Sequence, residues 1–230
     1  MLQQTQVERV IPYYKNFLAR FPTVNALAKA PLRDVLLAWQ GLGYNRRAKL
    51  LHEAAKAVQK EHGGKLPKDA ATLETLPGIG PYTARAVAAF AHNTDSIFIE
   101  TNIRTVVTHH FFADRDQVSD KEVLEVLKQA YPDGRAREWY AALMDYGSHL
   151  KRSGIRINTK AKGYTKQSKF EGSNRQARGA ILRALLVSPK TKRALIGLLP
   201  EREAQLEAAL AALIQEGVVT RTGRTFSLAS

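Results

Sequence analysis

The nine residues Leu76-Pro77-Gly78-Ile79-Gly80-Pro81-Tyr82-Thr83-Ala84 decide how this chain is read. Helical spacing flanks them, over 72–76 and over 82–91. Two glycines two positions apart strip side-chain cover from the turn between those helices. Successive N–H groups then face outward at a helix start, where the amides and the helix dipole together favour an anion. A lone Gly-x-Gly is explained by a tight turn. The whole string between two helices reads as a helix-hairpin-helix, with Gly78, Gly80, Tyr82 and Thr83 turned to a phosphate.

Outward from the hairpin, residues 1–150 read as helices joined by short breaks. Val7, Val10, Ile11, Tyr14, Phe17, Leu18 and Phe21 repeat at the 3.6-residue period until Pro22 stops the helix. Helices are expected over 24–30, 33–39, 46–61, 102–112, 120–130 and 137–150, and Gly41-Leu42-Gly43-Tyr44 is a turn. Strand-like alternation is nearly absent, so the class is all-α. Residues 151–174 differ: Lys151, Arg152, Arg156, Lys160, Lys162, Lys166 and Lys169 sit among Gly, Ser, Thr and Asn, opposed only by Glu171. That composition is a basic linker. Residues 175–230 form a second unit of three helices and a hairpin about Thr222-Gly223, the outline of a winged helix. Its third helix carries Glu203 and Glu207 and little base, which argues against insertion into a groove. DNA contact and protein or intramolecular docking both stay open for this unit.

The composition narrows the function. The chain has 230 residues, 35 Lys plus Arg against 21 Asp plus Glu, a net charge of +14 and no cysteine. Without cysteine there are no disulfides, thiolate nucleophiles, zinc fingers or iron–sulfur clusters. The charge excess points to a polyanion, and nucleic acid fits better than a membrane, because no basic amphipathic helix carries a strong Trp/Phe/Leu face. No run is long enough to cross a membrane, and the start has no signal-peptide order. A soluble, cytoplasmic, monomeric protein acting with DNA is expected.

Three motifs together resemble one family. The hairpin string is similar to that of the helix-hairpin-helix DNA glycosylase superfamily. Met1-Leu2-Gln3-Gln4-Thr5-Gln6-Val7 and Gly41-Leu42-Gly43-Tyr44 resemble the MutY-type adenine DNA glycosylases, in the same order and spacing, over about 1–150. The resemblance implies a two-lobed all-α fold, with double-stranded DNA bent across it and a mispaired or damaged base flipped into a pocket between the lobes. It places Gln3 and Gln4 where the family wedges or reads the opened duplex. It places Gly41, Leu42 and Gly43 on the DNA and Tyr44 beside the opposite base, where a planar ring replaces lost stacking. The backbone carbonyls of Glu74, Leu76 and Ile79 fall where the superfamily holds a monovalent cation; this sodium or potassium ion is the one cofactor implied. Arg46, Arg47, Lys151 and Arg152 are expected to meet phosphates. Tyr82 stands where bifunctional relatives such as endonuclease III carry a lysine. Tyrosine cannot form a Schiff base with the sugar, so a monofunctional enzyme without lyase activity is expected.

The chain also departs from the family. Ile97-Phe98-Ile99-Glu100-Thr101-Asn102 aligns with the apolar run, catalytic aspartate and asparagine, but the acid is Glu100. A carboxylate there stabilises the oxocarbenium ion as the N-glycosidic bond breaks, with Asn102 in the same crevice. Glutamate sits about 1.5 Å further along its stem, a displacement of the size that can cost about 100-fold when not compensated; the other reading of Glu100 is a helix cap. The family's adenine-protonating glutamate would lie two residues before Met1. Either the start lies upstream or another group gives the proton. The family's four cysteines after the stretch matching Met144-Asp145-Tyr146-Gly147 are missing. Adenine opposite 8-oxoguanine or guanine is the expected target. Thymine or uracil mispaired with guanine is the alternative within enzymes, and a catalytically weak DNA-binding protein is the alternative outside them.

Overall fold

The computed structural model describes residues 1–3, 5–155, 157, 160 and 169–229. Twelve α-helices and three short strands are described. The chain divides into two compact units, Met1–Lys65 together with Ser168–Ser230, and Leu66–Gln167. Packing therefore groups the C-terminal segment with the first helices, whereas the sequence breaks fall at 150 and 175. Eleven of the 24 residues of the expected linker, among them Arg156, Lys162 and Lys166, lie outside the described residues.

In the first unit, α1 (Val7–Arg20), α2 (Val24–Lys29), α3 (Leu32–Trp39) and α4 (Arg46–Glu61) precede α10 (Asn174–Val187), α11 (Lys192–Ile196) and α12 (Glu203–Gln215). Thr23 and Thr191 cap α2 and α11 with their side-chain oxygens. The three strands β1 (Lys190–Thr191), β2 (Val219–Thr222) and β3 (Thr225–Leu228) pair antiparallel in the order β1-β3-β2. The sequence reading anticipated the β2–β3 hairpin and missed β1, whose two residues are too few to show alternation. One apolar cluster runs through the whole unit, from Val35, Leu36 and Trp39 to Ile181, Leu206 and Leu213. Polar ties fasten the two stretches. Arg33 donates to the Leu186 carbonyl at 2.7 Å, and Lys49 to that of Glu216 at 2.6 Å. Arg178 forks onto the Glu216 carboxylate at 3.0 and 2.6 Å.

The second unit holds α5 (Ala70–Glu74), α6 (Pro81–His92), α7 (Thr101–Phe111), α8 (Asp120–Ala130) and α9 (Ala136–Arg152). Its core gathers Phe98, Ile103, Val107, Val123, Leu127 and Tyr140. Ser119 and Glu122 form a reciprocal capping box on α8. The Glu122 carboxyl is held well down, at about 2, by its hydrogen bonds from Ser119 and then by Arg115. Asn93, with φ of 55°, ends α6 and binds the Gly134 carbonyl and the Arg137 amide at 2.8 and 2.9 Å. The result is a fixed angle between α6 and α9, the helices that flank the segment leading to Glu100.

Candidate active site

The hairpin forms as its sequence demands. α5 stops at Glu74, and the Ile79 amide donates to the Leu76 carbonyl at 3.1 Å. Gly78 has φ of 76°, a conformation few side chains adopt, so glycine is required there. Gly80 stands at the N-cap of α6 with extended backbone, and Pro81 occupies the first helical position, where no N–H is missed. Gly80 brings no side chain, so this positive helix end has no side-chain cap. Glu74 ends α5, Leu76 and Ile79 lie in the turn that follows, and Leu76 itself is anchored in the interior.

Tyr82, in the first turn of α6, keeps 38% of its surface exposed while its ring meets Phe98 edge-on at 5.8 Å. Burial, and after it the charge of Glu100, push its phenol above the usual range. It is a neutral hydroxyl at working pH. Phe98 stacks in turn on Tyr140 at 3.9 Å. The buried Tyr140 hydroxyl accepts from the Phe98 amide at 3.1 Å and donates to the Ser96 carbonyl at 2.9 Å. Its burial lifts its own pKa to about 12. One hydroxyl on α9 thus pins the extended stretch that delivers Glu100.

Glu100 is the N-cap of α7. Its carboxylate accepts from the Asn102 backbone amide at 2.7 Å and from the Asn102 side-chain amide at 3.2 Å. The capping reading of this glutamate is therefore correct as geometry, and it leaves lone pairs available, since a carboxylate has about four acceptor sites. The longer stem folds back on its own helix end, which fixes the carboxylate. Asn102 is held from the other side as well: Lys151 donates to its Oδ1 at 2.6 Å. An amide between an acceptor and a cation has only one orientation that satisfies both. Lys151 was expected on the phosphate surface and is turned inward instead, because α9 carries it against α7. Its burial lowers its pKa below the usual lysine value, with the Glu100 charge acting against that shift. Arg152, the next residue, stays exposed.

Gly147 explains how α9 comes so close. A Cβ placed on it would lie 2.2 Å from the Asn102 carbonyl oxygen. Sequence reasoning did not assign Tyr140, Gly147 or the inward role of Lys151. Their spacing of 0, 7 and 11 marks one helix face and is the signal that was available.

The first unit holds the other expected residues. Gly41, Gly43 and Tyr44 all have positive φ, and Tyr44 at 50° is strained for a residue with a large side chain. Leu42, expected at the DNA surface, is instead buried in the core at 5% exposure and anchors the turn. Trp39 donates to the Gly43 carbonyl at 3.1 Å, and Arg9 binds the Gly41 carbonyl. Arg47 also departs from its expected phosphate role. Its guanidinium lies 4.9 Å from the Tyr44 ring and 5.8 Å from that of Trp39, and binds the Gln3 carbonyl. Burial lowers its pKa. It braces the strained turn and the Gln3 backbone, while Arg46 remains exposed. Gln4 lies outside the described residues.

A hairpin of this form beside a capped carboxylate defines a helix-hairpin-helix fold of the base-excision class. Residues 1–133 match the family described as HhH-GPD superfamily base excision DNA repair protein, and the chain belongs to that superfamily. Within it, the adenine DNA glycosylase of Mycolicibacterium smegmatis is 38% identical over 240 residues, covering 96% of this chain and 82% of that protein. The adenine DNA glycosylase of Mycobacterium tuberculosis is 36% identical over 243 residues, covering 96% and 80%. That of Rattus norvegicus is 36% identical over 152 residues, covering 64% of this chain and 30% of that protein. Among solved structures, a thermostable thymine-DNA glycosylase superposes with a TM-score of 0.55 at 24% identity, over 64% of this chain and 69% of that one. A trapped endonuclease III–DNA covalent intermediate gives 0.56 at 22%, over 64% and 68%. These two likenesses show the fold alone.

Proposed function

We infer that this chain is a DNA N-glycosylase that removes adenine from a mispair, in which Glu100 is the catalytic carboxylate. The observation that carries this is the Glu100–Asn102–Lys151 chain of hydrogen bonds at the start of α7. The adenine assignment is supported by the curated relatives that span nearly the whole chain. Breaking the bond between adenine and C1′ leaves positive charge on the sugar. A carboxylate fixed before the reaction stabilises that charge without having to reorganise, which is the largest contribution a site of this kind makes. Asn102 sets the direction of the Glu100 oxygens, and Lys151 sets the direction of Asn102. Water completes hydrolysis at C1′ and leaves an abasic site.

Tyr82 offers no amine for covalent attack, so the strand is expected to stay intact after base loss. The α6 end at Gly80 is suited to a backbone phosphate. The neutral carbonyl oxygens of Glu74, Leu76 and Ile79 are hard donors that suit a monovalent cation, which would lend positive charge to that phosphate contact. Tyr44, strained and braced by Arg47, is placed in this reading beside the base opposite the adenine.

The test is incubation with labelled duplexes carrying A:8-oxoguanine, A:G, T:G and U:G. Strand breaks on the two adenine duplexes, appearing only after alkali, are the expected result. Breaks without alkali would overturn the monofunctional assignment, and breaks confined to T:G or U:G would overturn adenine.

A further inference from the structure

The segment from α10 to β3 runs helix, strand, helix, helix, strand, strand, with sheet order β1-β3-β2. That is winged-helix connectivity, and such a unit can meet a duplex through its third helix or through its β2–β3 ribbon. The two surfaces here differ in charge: only the helix side carries carboxylates. The exposed side of α12 presents Glu203 and Glu207 among alanines. A shallow depression of about 550 Å³ between α11 and α12 is lined by Lys192 and Arg193 as well as by Glu203 and Glu207, and Lys192 is already paired with Glu207 at 2.7 Å. Arg202, just before α12, binds Gln176 at 2.7 Å. A phosphate brought to this helix meets carboxylates.

The ribbon is the reverse. No acidic residue occurs from 186 to 200 or from 217 to 230. The register aligns Lys190, Phe226 and Arg221 in one row across the sheet and Thr191, Thr225 and Thr222 in the next. Residues opposite one another share a face. Phe226 is buried, so its row belongs to the inner face, and the threonine row is on the outer face, where all three are exposed. Arg221 is kept along the ribbon, its guanidinium 5.8 Å from the Phe226 ring and its Nε donating to the Gly223 carbonyl at 2.9 Å. Arg224 stands exposed at the turn. Among the described residues, no carboxylate is in ion-pair range of Lys190, Arg193, Arg221 or Arg224. The outcome is an outer face bearing three threonines, with the Thr225 hydroxyl donating to the Thr222 carbonyl at 3.1 Å and Arg224 exposed at the turn, while Lys190 and Arg221 lie in the Phe226 row of the opposite face.

We propose that the β2–β3 ribbon, with Lys190 beside it, is a second DNA-binding surface that grips the phosphates of duplex DNA without reading its sequence, while the acidic α12 stays out of the groove. Hydroxyl and guanidinium donors suit phosphate oxygens and carry no base code. The inference rests on the reading of the chain as a duplex-acting glycosylase. Its role is to add phosphate contacts to those made at the base-removing site.

The test compares the full chain with its Lys190→Ala/Arg224→Ala variant, leaving Arg221 on Phe226. Affinity for a labelled undamaged duplex is measured by anisotropy across a potassium chloride series, with melting curves confirming that both are folded. Each lost phosphate contact lowers the salt slope by about 0.9, so a slope shallower by roughly one to two is expected. Single-turnover excision at saturating protein should be unchanged. A Glu203→Gln/Glu207→Gln variant should bind at least as tightly as the parent. An unchanged slope in the double variant would overturn the proposal, as would weakened DNA binding in the glutamine variant. An unchanged slope with lost binding to polyglutamate would assign the ribbon to an acidic protein instead. Failure of the glycosylase reading would show separately, as no excision by the unaltered chain.

Discussion

A half-buried ammonium group is held away from water at a cost, and at Lys151 burial shows as a lowered pKa. The hydrogen bond to Asn102 offsets it. A lysine with lowered pKa is charged below that pKa and loses its proton as pH rises through it. The grip on Asn102 should therefore weaken at a lower pH than for an ordinary lysine. Single-turnover rate is expected to fall on the alkaline side, and Lys151→Met should remove that limb. The same change should slow excision at neutral pH by about 10- to 100-fold, the worth of one hydrogen bond to a charged group, with duplex affinity little altered. Lys151→Arg keeps charge and donors and should recover part of the rate. A pH–rate profile of the three proteins checks this. A profile that keeps its alkaline limb in Lys151→Met would remove Lys151 from the positioning of Asn102.

At the scale of elements, α9 does most of the positioning through one face bearing Tyr140, Gly147 and Lys151. Tyr140→Phe keeps the ring stack on Phe98 and deletes the hydroxyl, leaving the buried Phe98 amide without its partner. A loss of about 1–3 kcal/mol is expected in thermal or denaturant unfolding. Gly147→Ala forces α9 off Asn102, because backbone cannot yield to a contact of 2.2 Å. Both stability and excision should drop, by about 1–3 kcal/mol for the first, read from the same unfolding curves. The sequence displays the hairpin outright, since Gly78, Gly80 and Pro81 have strong local meaning. It displays Glu100 through its place before Asn102. It does not display which way Lys151 points, because a basic run looks the same whether its first member faces solvent or a neighbouring helix. Arg47 misleads for the same reason. Only the packing partner settles direction, and that information is non-local.

At the scale of the whole molecule, the discontinuous first unit was the least legible feature. The basic stretch at 151–174 is a clear compositional break, and a break of that kind looks like a boundary between independent domains. What it hides is that Ile181, Leu206 and Leu213 complete one core with Val35, Leu36 and Trp39. Apolar periodicity tells which face of each helix is buried and not against what. Leu213 is fully buried, far along the chain from the Tyr44 turn but in the same core. Leu213→Ala should cost about 2–5 kcal/mol. Hydrogen exchange should then show faster opening in α3 and α4 as well as in α12. Protection lost in α12 alone would mean that the two stretches fold separately.

The central claim is that Glu100 is the carboxylate that stabilises charge at the sugar, and single-turnover adenine release from an A:8-oxoguanine duplex tests it most directly. Glu100→Gln keeps an oxygen for the Asn102 amide and removes the negative charge. The account predicts that release slows by at least about 100-fold while duplex affinity is retained. Release at the parent rate, with the helix cap intact, would contradict it.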